Sequence, residues 1–344
     1  MPTLLGSLPA VLVGTALALV GALSSNAEVQ RIPFVIATGP TGGTYFPVGE
    51  AIAGIISHPP GVYRCERAGV CGPSGLIASA RSSPGAVFNV LAANAHTVDA
   101  ALAQSDVIRE AVKGQGTFRL AGPQKHIRAV AALFPEDVHI VAAKTAHIRS
   151  VAELRGKRVG VGPDTSGTIV TARAVLSAYR LPIRRIRINN DSSDIAAEKL
   201  AQGKLDAMFF VGGAPVPLVR SLLANGSASL VPIDGAKRER LLKLAKGLKA
   251  DSIPAGVYPR TGKIETVAVQ SIWIVNDSVA DSAVYSILKA LFNPANRAAL
   301  AGSHRSAQFI RLNSATVDLP APMHAGARRF YTELGRLPKK SAAK

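Results

Sequence analysis

Val35–Ile56 reads VIATGPTGGTYFPVGEAIAGII, an apolar run, then a glycine-threonine loop, then small and aliphatic residues at helical spacing. Ile32–Thr38 has the length and β-branched content of a strand, and Thr44–Ser57 has the pattern of a helix. Glycines in the loop let the backbone approach a ligand, and the first helical turn offers N–H groups and the positive end of a dipole. A second stretch, GVGPDTSGT (Gly160–Thr168), repeats the design from strand to helix. The hydroxyls of Thr41, Thr44, Ser166 and Thr168 can add donors to an anion. Neither loop reads G-x-x-x-x-G-K-[ST] or G-x-G-x-x-G, so neither is a nucleotide loop. One such loop is equally a tight turn with a Ser or Thr cap. Two of them, after strands in different halves of the chain, predict one cleft lined from both sides.

Outward from these loops, strands alternate with helices. Strands are expected at Ile32–Thr38, Ile127–Leu133, Val138–Ala143, Arg158–Gly162, Ile183–Ile188, Leu205–Val211, Ser229–Ile233 and Thr266–Val275. Helices are expected at Thr44–Ser57, Thr168–Tyr179, Asp194–Gln202 and Asp281–Leu291, with Gly203 closing the third. This alternation is the signature of the α/β class, parallel sheets covered by helices. A chain of 344 residues has room for two domains. With 48% hydrophobic and 18% charged residues it is not a disordered chain, and 31 Gly without a triplet period exclude collagen. Aromatics are only 5%, so Ala, Val, Ile and Leu must build the core.

The formal charge of +18 invites a nucleic-acid reading. Net charge governs solubility and encounter rather than fold or site. The basic residues are dispersed over Arg64 to Arg81, Arg180 to Arg187, Lys237 to Lys249 and Lys339–Lys340, without interleaved aromatics or a recognisable module. No nucleic-acid partner is expected.

Leu4–Leu23 carries no charge and is followed by Ser25-Asn26-Ala27. That is the form of a signal peptide cleaved after Ala27, although Met1-Pro2-Thr3 lacks the usual Lys or Arg. An uncleaved anchor helix is the alternative, since about twenty apolar residues can span a bilayer. Pro9 and the small-residue exit favour cleavage, and so export to the periplasm. Cys65 and Cys71 are the only cysteines. In an oxidising compartment such a pair closes a small disulfide loop, whereas a metal site needs more ligands than His58 offers and a redox pair usually reads C-x-x-C.

Catalytic constellations are missing from the sequence. His58, His96, His126, His139, His147, His304 and His324 never fall at metal-ligand spacing, and no G-x-S-x-G elbow occurs. Asp191 and Asp194 flank Ser192-Ser193 as a helix start does. His139 and His147 are expected to be structural. No metal and no cofactor are expected, which points to a binding protein. An exported enzyme of small acids, with Asp106 or Asp164 as base, is the competing class.

Taken together the motifs resemble the TAXI family, the TRAP-associated extracytoplasmic solute receptors. Val35–Ile56 resembles that family's opening, and Cys65–Gly72 with Gly75–Ala78 is similar to its cysteine-containing branch. AQSDV (Ala103–Val107), IRAVAALFPEDVHIVAAK (Ile127–Lys144), SVAELRGKRVGVG (Ser150–Gly162) and SGT (Ser166–Thr168) follow in family order. So do GKLDAMFFVGGAP (Gly203–Pro215), LVPIDG (Leu230–Gly235), TVAVQSIWIV (Thr266–Val275) and LPAPMHAGARRFYTELG (Leu319–Gly335). The resemblance implies a type II periplasmic-binding-protein fold of two α/β lobes joined by crossing strands at Val138–Ala143 and Thr266–Val275. Lobe one would be 28–143 and 270–337, lobe two 144–269, with 338–344 a flexible tail.

The resemblance further implies a monomeric receptor, not an enzyme, that captures a small organic anion of the acidic amino acid, dicarboxylate or 2-oxoacid class. It would deliver this ligand to a TRAP permease. A sensor input to a membrane signalling protein would share the same sequence. Ligand residues carried over are Gly43, Thr44, Tyr45, Gln104, Ser105, Ser166, Gly167 and Thr168, with Gly213 in the turn facing the cleft and Thr41 beside them. The bland alternatives are a core ring for Tyr45 and a helix cap for Ser105. Where the family often has a Gly-Ser pair, this chain has Gly85-Ala86, which lacks the hydroxyl; Ser83 and Asn89 are the candidate substitutes.

Overall fold

The computed structural model describes residues 30–337, so the leader and tail expectations lie outside the described residues. Ten strands form one sheet: β1 Ile32–Ala37, β2 Leu76–Arg81, β3 Ala100–Gln104, β4 Ile127–Ala143, β5 Arg158–Gly160, β6 Arg187–Asn189, β7 Ala207–Gly212, β8 Ala228–Leu230, β9 Lys249–Ile253 and β10 Ile264–Asn276. Their order is β2-β1-β3-β10-β4-β7-β5-β6, with β8 on β4 and β9 on β10. The helices are α1 Tyr45–Ile56, α2 Ala86–Asn94, α3 Ser105–Lys113, α4 Gly167–Ala178, α5 Ser193–Ala201, α6 Pro217–Ala224, α7 Gly235–Leu244, α8 Asp281–Leu291, α9 Arg297–Ser303 and α10 Ala325–Glu333. Among the described residues no helix is long and apolar enough to cross a membrane.

Two long strands join the two halves of this sheet. β10 pairs β3 through Ser271–Val275 and β9 through Ile264–Ala268, while β4 pairs β10 through Ile127–Asp137 and β7 through Asp137–Ala142. The expected break between Leu133 and Val138 is therefore not a break. Pro135-Glu136-Asp137 interrupts the apolar pattern, yet the strand continues because β10 pairs it on one side, with a register shift at Gln270/Ile272. The neighbours of β4 change at Glu136–Asp137, seven residues ahead of the boundary suggested by the motifs. Ile183–Ile188 also differs. Pro182 caps a 3₁₀ turn at Ile183–Arg185, and only Arg187–Asn189 is strand.

Period-two burial assigns each helix its face. In β1, Phe34 and Ile36 face the layer of α1, α8 and α10, while Val35 and Ala37 face α2 and α3. In β7, Met208 and Phe210 face α5 and α6, while Phe209 and Val211 face α4 and α7. Small and aliphatic residues carry most of the core, with Trp273, Phe118, Phe134 and Tyr331 filling its widest gaps. Gly203, at φ 71°, is the left-handed residue that stops α5 and turns the chain into β7.

Cys65 and Cys71 form the disulfide expected of them. Its loop is fastened to the body by Asn293 and Asn296, whose amides donate to Gly69 O (2.9 Å) and Val70 O (2.7 Å). Closing so short a loop constrains the unfolded chain by roughly 2 kcal/mol. The Cys65→Ser/Cys71→Ser double variant is expected to lose about that much stability in urea denaturation, with solute affinity unchanged because the loop lies away from the cleft.

Candidate ligand-binding cleft

The C-terminal ends of the parallel strands of both halves open on one cavity of about 590 Å³. Its walls are the loop after β1 (Gly39–Tyr45), the turn before α2 (Ser82–Ala86), the end of β3 (Gln104), the loop after β5 (Gly162–Thr168) and the start of α5 (Asp191–Asp194). Met208–Val211 of β7 and Glu136 complete it. Four helices thus begin at its rim: α1 at Tyr45, α2 at Ala86, α4 at Gly167 and α5 at Ser193. First-turn N–H groups have no acceptor within their helix, so each start presents donors and roughly half a positive charge.

The halves already touch across this cavity. Phe88 N of α2 donates to Thr165 O at 2.9 Å, and Thr44 Oγ1 donates to Gly213 O at 3.2 Å. Thr171 Oγ1 of α4 donates to Asp106 Oδ2 of α3 at 2.8 Å. Gly85, at φ 128°, approaches Ser166 so closely that a Cβ there would lie 3.2 Å from the Ser166 Cα. A Cβ on Gly167 would overlap the Gln104 side chain. Absence of side chain at these two glycines is what lets the halves close.

Nine of the residues singled out in the sequence line the cavity: Thr41, Gly43, Thr44, Tyr45, Ser83, Gln104, Ser166, Gly167 and Thr168. Three do not. Asn89 is fully buried behind the wall, its amide donating to Thr38 O and Leu102 O and its Oδ1 accepting from Ser83 Oγ. Ser105 is buried at the start of α3, where its Oγ accepts from Gln270 N at 3.2 Å and so fastens α3 to β10. Gly213 turns away from the cavity and packs against Ser306 and Phe134.

Several hydroxyls offered to the ligand are engaged in the protein itself. Thr44 donates to Gly213 O, Ser166 to Pro163 O at 2.8 Å, and Ser83 stands between Thr38 O and Asn89 Oδ1 while accepting from Gly85 N. They shape the loops, and the donors left for an anion are backbone N–H groups and the lining hydroxyls not so engaged, such as that of Ser193. Two polar side-chain atoms at the cavity are buried and unpartnered, Gln104 Oε1 from one half and Ser193 Oγ from the other. Ser193 went unnoticed in the sequence because Ser192–Asp194 reads only as a helix start. The available signal was its place after β6, in the same strand-to-helix position as the two glycine loops.

Charge in the cavity is sparse. Among the described residues no Lys or Arg lines it, and its carboxyls are Glu136, Asp191 and Asp194. Burial pushes Glu136 well above its ordinary range, against the 2.6 Å hydrogen bond donated by Tyr45 OH. Tyr45 is thus both a core ring, packed edge-on against Phe134, and a wall of the cavity. Asp191 is held low by hydrogen bonds from Lys199 and Asn189, so its charge is balanced. About two units of positive partial charge from four helix starts face one uncompensated carboxylate, that of Asp194. The balance favours an anion and leaves one seat for a cationic group.

The residues held in reserve for catalysis are elsewhere. Asp106 accepts from Thr171 and from Val107 N, and Asp164 is exposed beside Arg173 and Asn190; neither lines the cavity. His139 is structural: buried, pushed down to about 4 by that burial, and set between Asp137 O and Tyr258 OH. His147 is an exposed turn residue.

Solved structures share the architecture. A protein of Bordetella bronchiseptica RB50 is 14% identical, with 90% of this chain covering 99% of that one at a TM-score of 0.51. A structure described as a periplasmic transporter is 12% identical, 90% covering 94%, at 0.50. The alkanesulfonate-binding protein SsuA of Xanthomonas axonopodis pv. citri, bound to MOPS, is 16% identical, 90% covering 96%, at 0.47. The fold is the two-lobed α/β fold of periplasmic binding proteins. The model of the NMT1-like family matches residues 36–335, from inside β1 to just beyond α10, and so takes in both glycine loops, both crossing strands and every wall of the cavity. By that match this chain belongs to the NMT1-like family.

Proposed function

We propose that this chain is an extracytoplasmic solute receptor of the TAXI type, which captures a small organic anion between its lobes and delivers it to a TRAP membrane permease. One lobe comprises residues up to about Glu136 together with those from about Gln270, and the other the residues between. The carrying observation is one cavity ringed by four helix starts and lined from both lobes, by Gln104 of one and Ser193 of the other, whose side-chain oxygens have no partner in the protein. A solute that bridges the lobes adds contacts available only when they are closed, and so shifts the open–closed equilibrium. Helix starts receive its carboxylate, and Asp194 suits an ammonium group. Acidic amino acids therefore fit best, ahead of dicarboxylates and 2-oxoacids. The disulfide fits an oxidising compartment, consistent with a periplasmic site of action.

The test is a thermal-shift panel of acidic amino acids, dicarboxylates and 2-oxoacids on the mature chain. A ligand at a hundred times its Kd stabilises by about 2.7 kcal/mol. One of these classes is expected to raise the melting temperature, and Gln104→Ala and Ser193→Ala are each expected to weaken its binding about 10- to 100-fold in calorimetry. A panel without any shift, or variants that titrate like the parent, would reject the assignment.

A further inference from the structure

Histidines that are remote in sequence meet at the end of the sheet opposite the cleft. His96 lies just past α2, His126 just before β4 and Asp277 just after β10. His96 Nε2 is 3.0 Å from Asp277 Oδ1, and His126 Nδ1 is 3.1 Å from Asp277 Oδ2. Sequence spacing gives no sign of this cluster, since three separate elements bring its residues together.

We propose that His96, His126 and Asp277 form a binding site for a borderline divalent cation of the zinc class, on the outer face of the lobe that carries β1. Their three ligand atoms lie within 4.8 Å of one another. A tetrahedral zinc with ligands about 2.0–2.1 Å away requires ligand atoms roughly 3.3 Å apart, so the 3.0 and 3.1 Å contacts to Asp277 need to open by a few tenths of an ångström and any wider separation needs to close. Two imidazoles and one carboxylate are a donor set that zinc accepts, with the fourth position left to water. All three side chains are reached by solvent, which gives the ion an entry path.

The backbone around the ligands is fixed. Asp277 N donates to His126 O at 2.8 Å, and His126 N donates to Asn94 Oδ1 at 2.9 Å. Arg128 donates to Asp277 Oδ2 at 3.2 Å and holds the carboxylate in place from the side, the outer-shell role that orients a ligating carboxylate. Each imidazole directs one ring nitrogen at Asp277, and these are the nitrogens the ion would take. The ion would pin the C-terminal end of α2 to β4 and β10, about 14 Å along the helix from its start at the cleft.

Calorimetry of the tag-free, chelator-treated mature chain with ZnCl₂ tests this, with MgCl₂ as the hard-cation control. One zinc per chain is expected, with no magnesium uptake. His96→Gln and His126→Gln should each weaken zinc binding at least tenfold, and the double variant should abolish it while keeping its metal-free melting temperature. Absence of stoichiometric zinc uptake by the parent overturns the site, as does uptake that survives in the double variant. Solute binding in the cleft is read in the same samples, so failure of the zinc site and failure of the cleft are distinguishable.

Discussion

Gly85→Ala is expected to lower solute affinity at least a hundredfold, more than any single wall residue. Two effects combine. The residue sits at φ 128°, which an L side chain adopts only at a cost of about 1–3 kcal/mol. Its new Cβ would also press on the Ser166 Cα, 3.2 Å away, and Ser166 belongs to the opposite lobe. The strain acts in every state of the protein, whereas the clash acts only when the lobes are closed. Denaturation should therefore show a loss of about 1–3 kcal/mol, and calorimetry a loss of affinity beyond it. Gly167→Ala separates the two effects, because Gly167 has no positive φ to lose and its Cβ would displace Gln104 across the cleft. Unchanged affinity in both variants would mean that these glycines do not govern closure.

The second large effect is on pH. Where β4 passes between the lobes, Asp137 is pushed up to about 7 by burial and by the nearby charge of Asp251, against the backbone hydrogen bond from Ala214. Its Oδ1 is buried without a partner. Glu136 beside it is also raised well above its ordinary range, and Asp106 is pushed up to about 6, again by burial. A carboxyl whose folded pKa is raised binds more protons folded than unfolded between the two values. Its stabilisation is present at low pH and lost as pH rises through the folded value.

His139, held at about 4, works the other way, and its contribution is lost as pH falls below about 6.5. The two trends oppose each other in acid. Above pH 6.5 the carboxyls dominate, and stability is expected to fall by roughly 1 kcal/mol between pH 6.5 and 8. Urea denaturation across that window checks it. Asp137→Asn with Glu136→Gln should flatten the slope, and a parent whose stability is flat or rising there would contradict the assignment.

The parts of this molecule legible in the sequence are those with local causes. Val35–Ile56 and Gly160–Thr168 carry strand, glycine loop and helix in contiguous residues, and they place two walls of the cavity without further help. Short strands such as β2 and β9 escaped, because a few residues with polar neighbours carry no clear period and are held by pairing with β1 and β10. The continuity of β4 through Pro135-Glu136-Asp137 escaped for the same reason.

At the site, the two glycine loops were readable; the place of Gly213 and the roles of the hydroxyls were not. Whether Ser83 serves a ligand or the wall depends on Thr38 and Asn89, which fold brings to it from 45 and 6 residues away. Asn89 looked like a ligand residue and is a buried clamp. His96, His126 and Asp277 lie up to 181 residues apart, so no spacing rule could join them.

A crystal structure of the mature chain with the strongest ligand of the panel is the most direct trial of an interlobe grip. The ligand's carboxylate is expected within hydrogen-bond reach of the N–H groups of residues 43–45 and of residues 166–168 together, with Gln104 and Ser193 engaged. A ligand held by one lobe alone, or seated outside this cavity, would contradict the account.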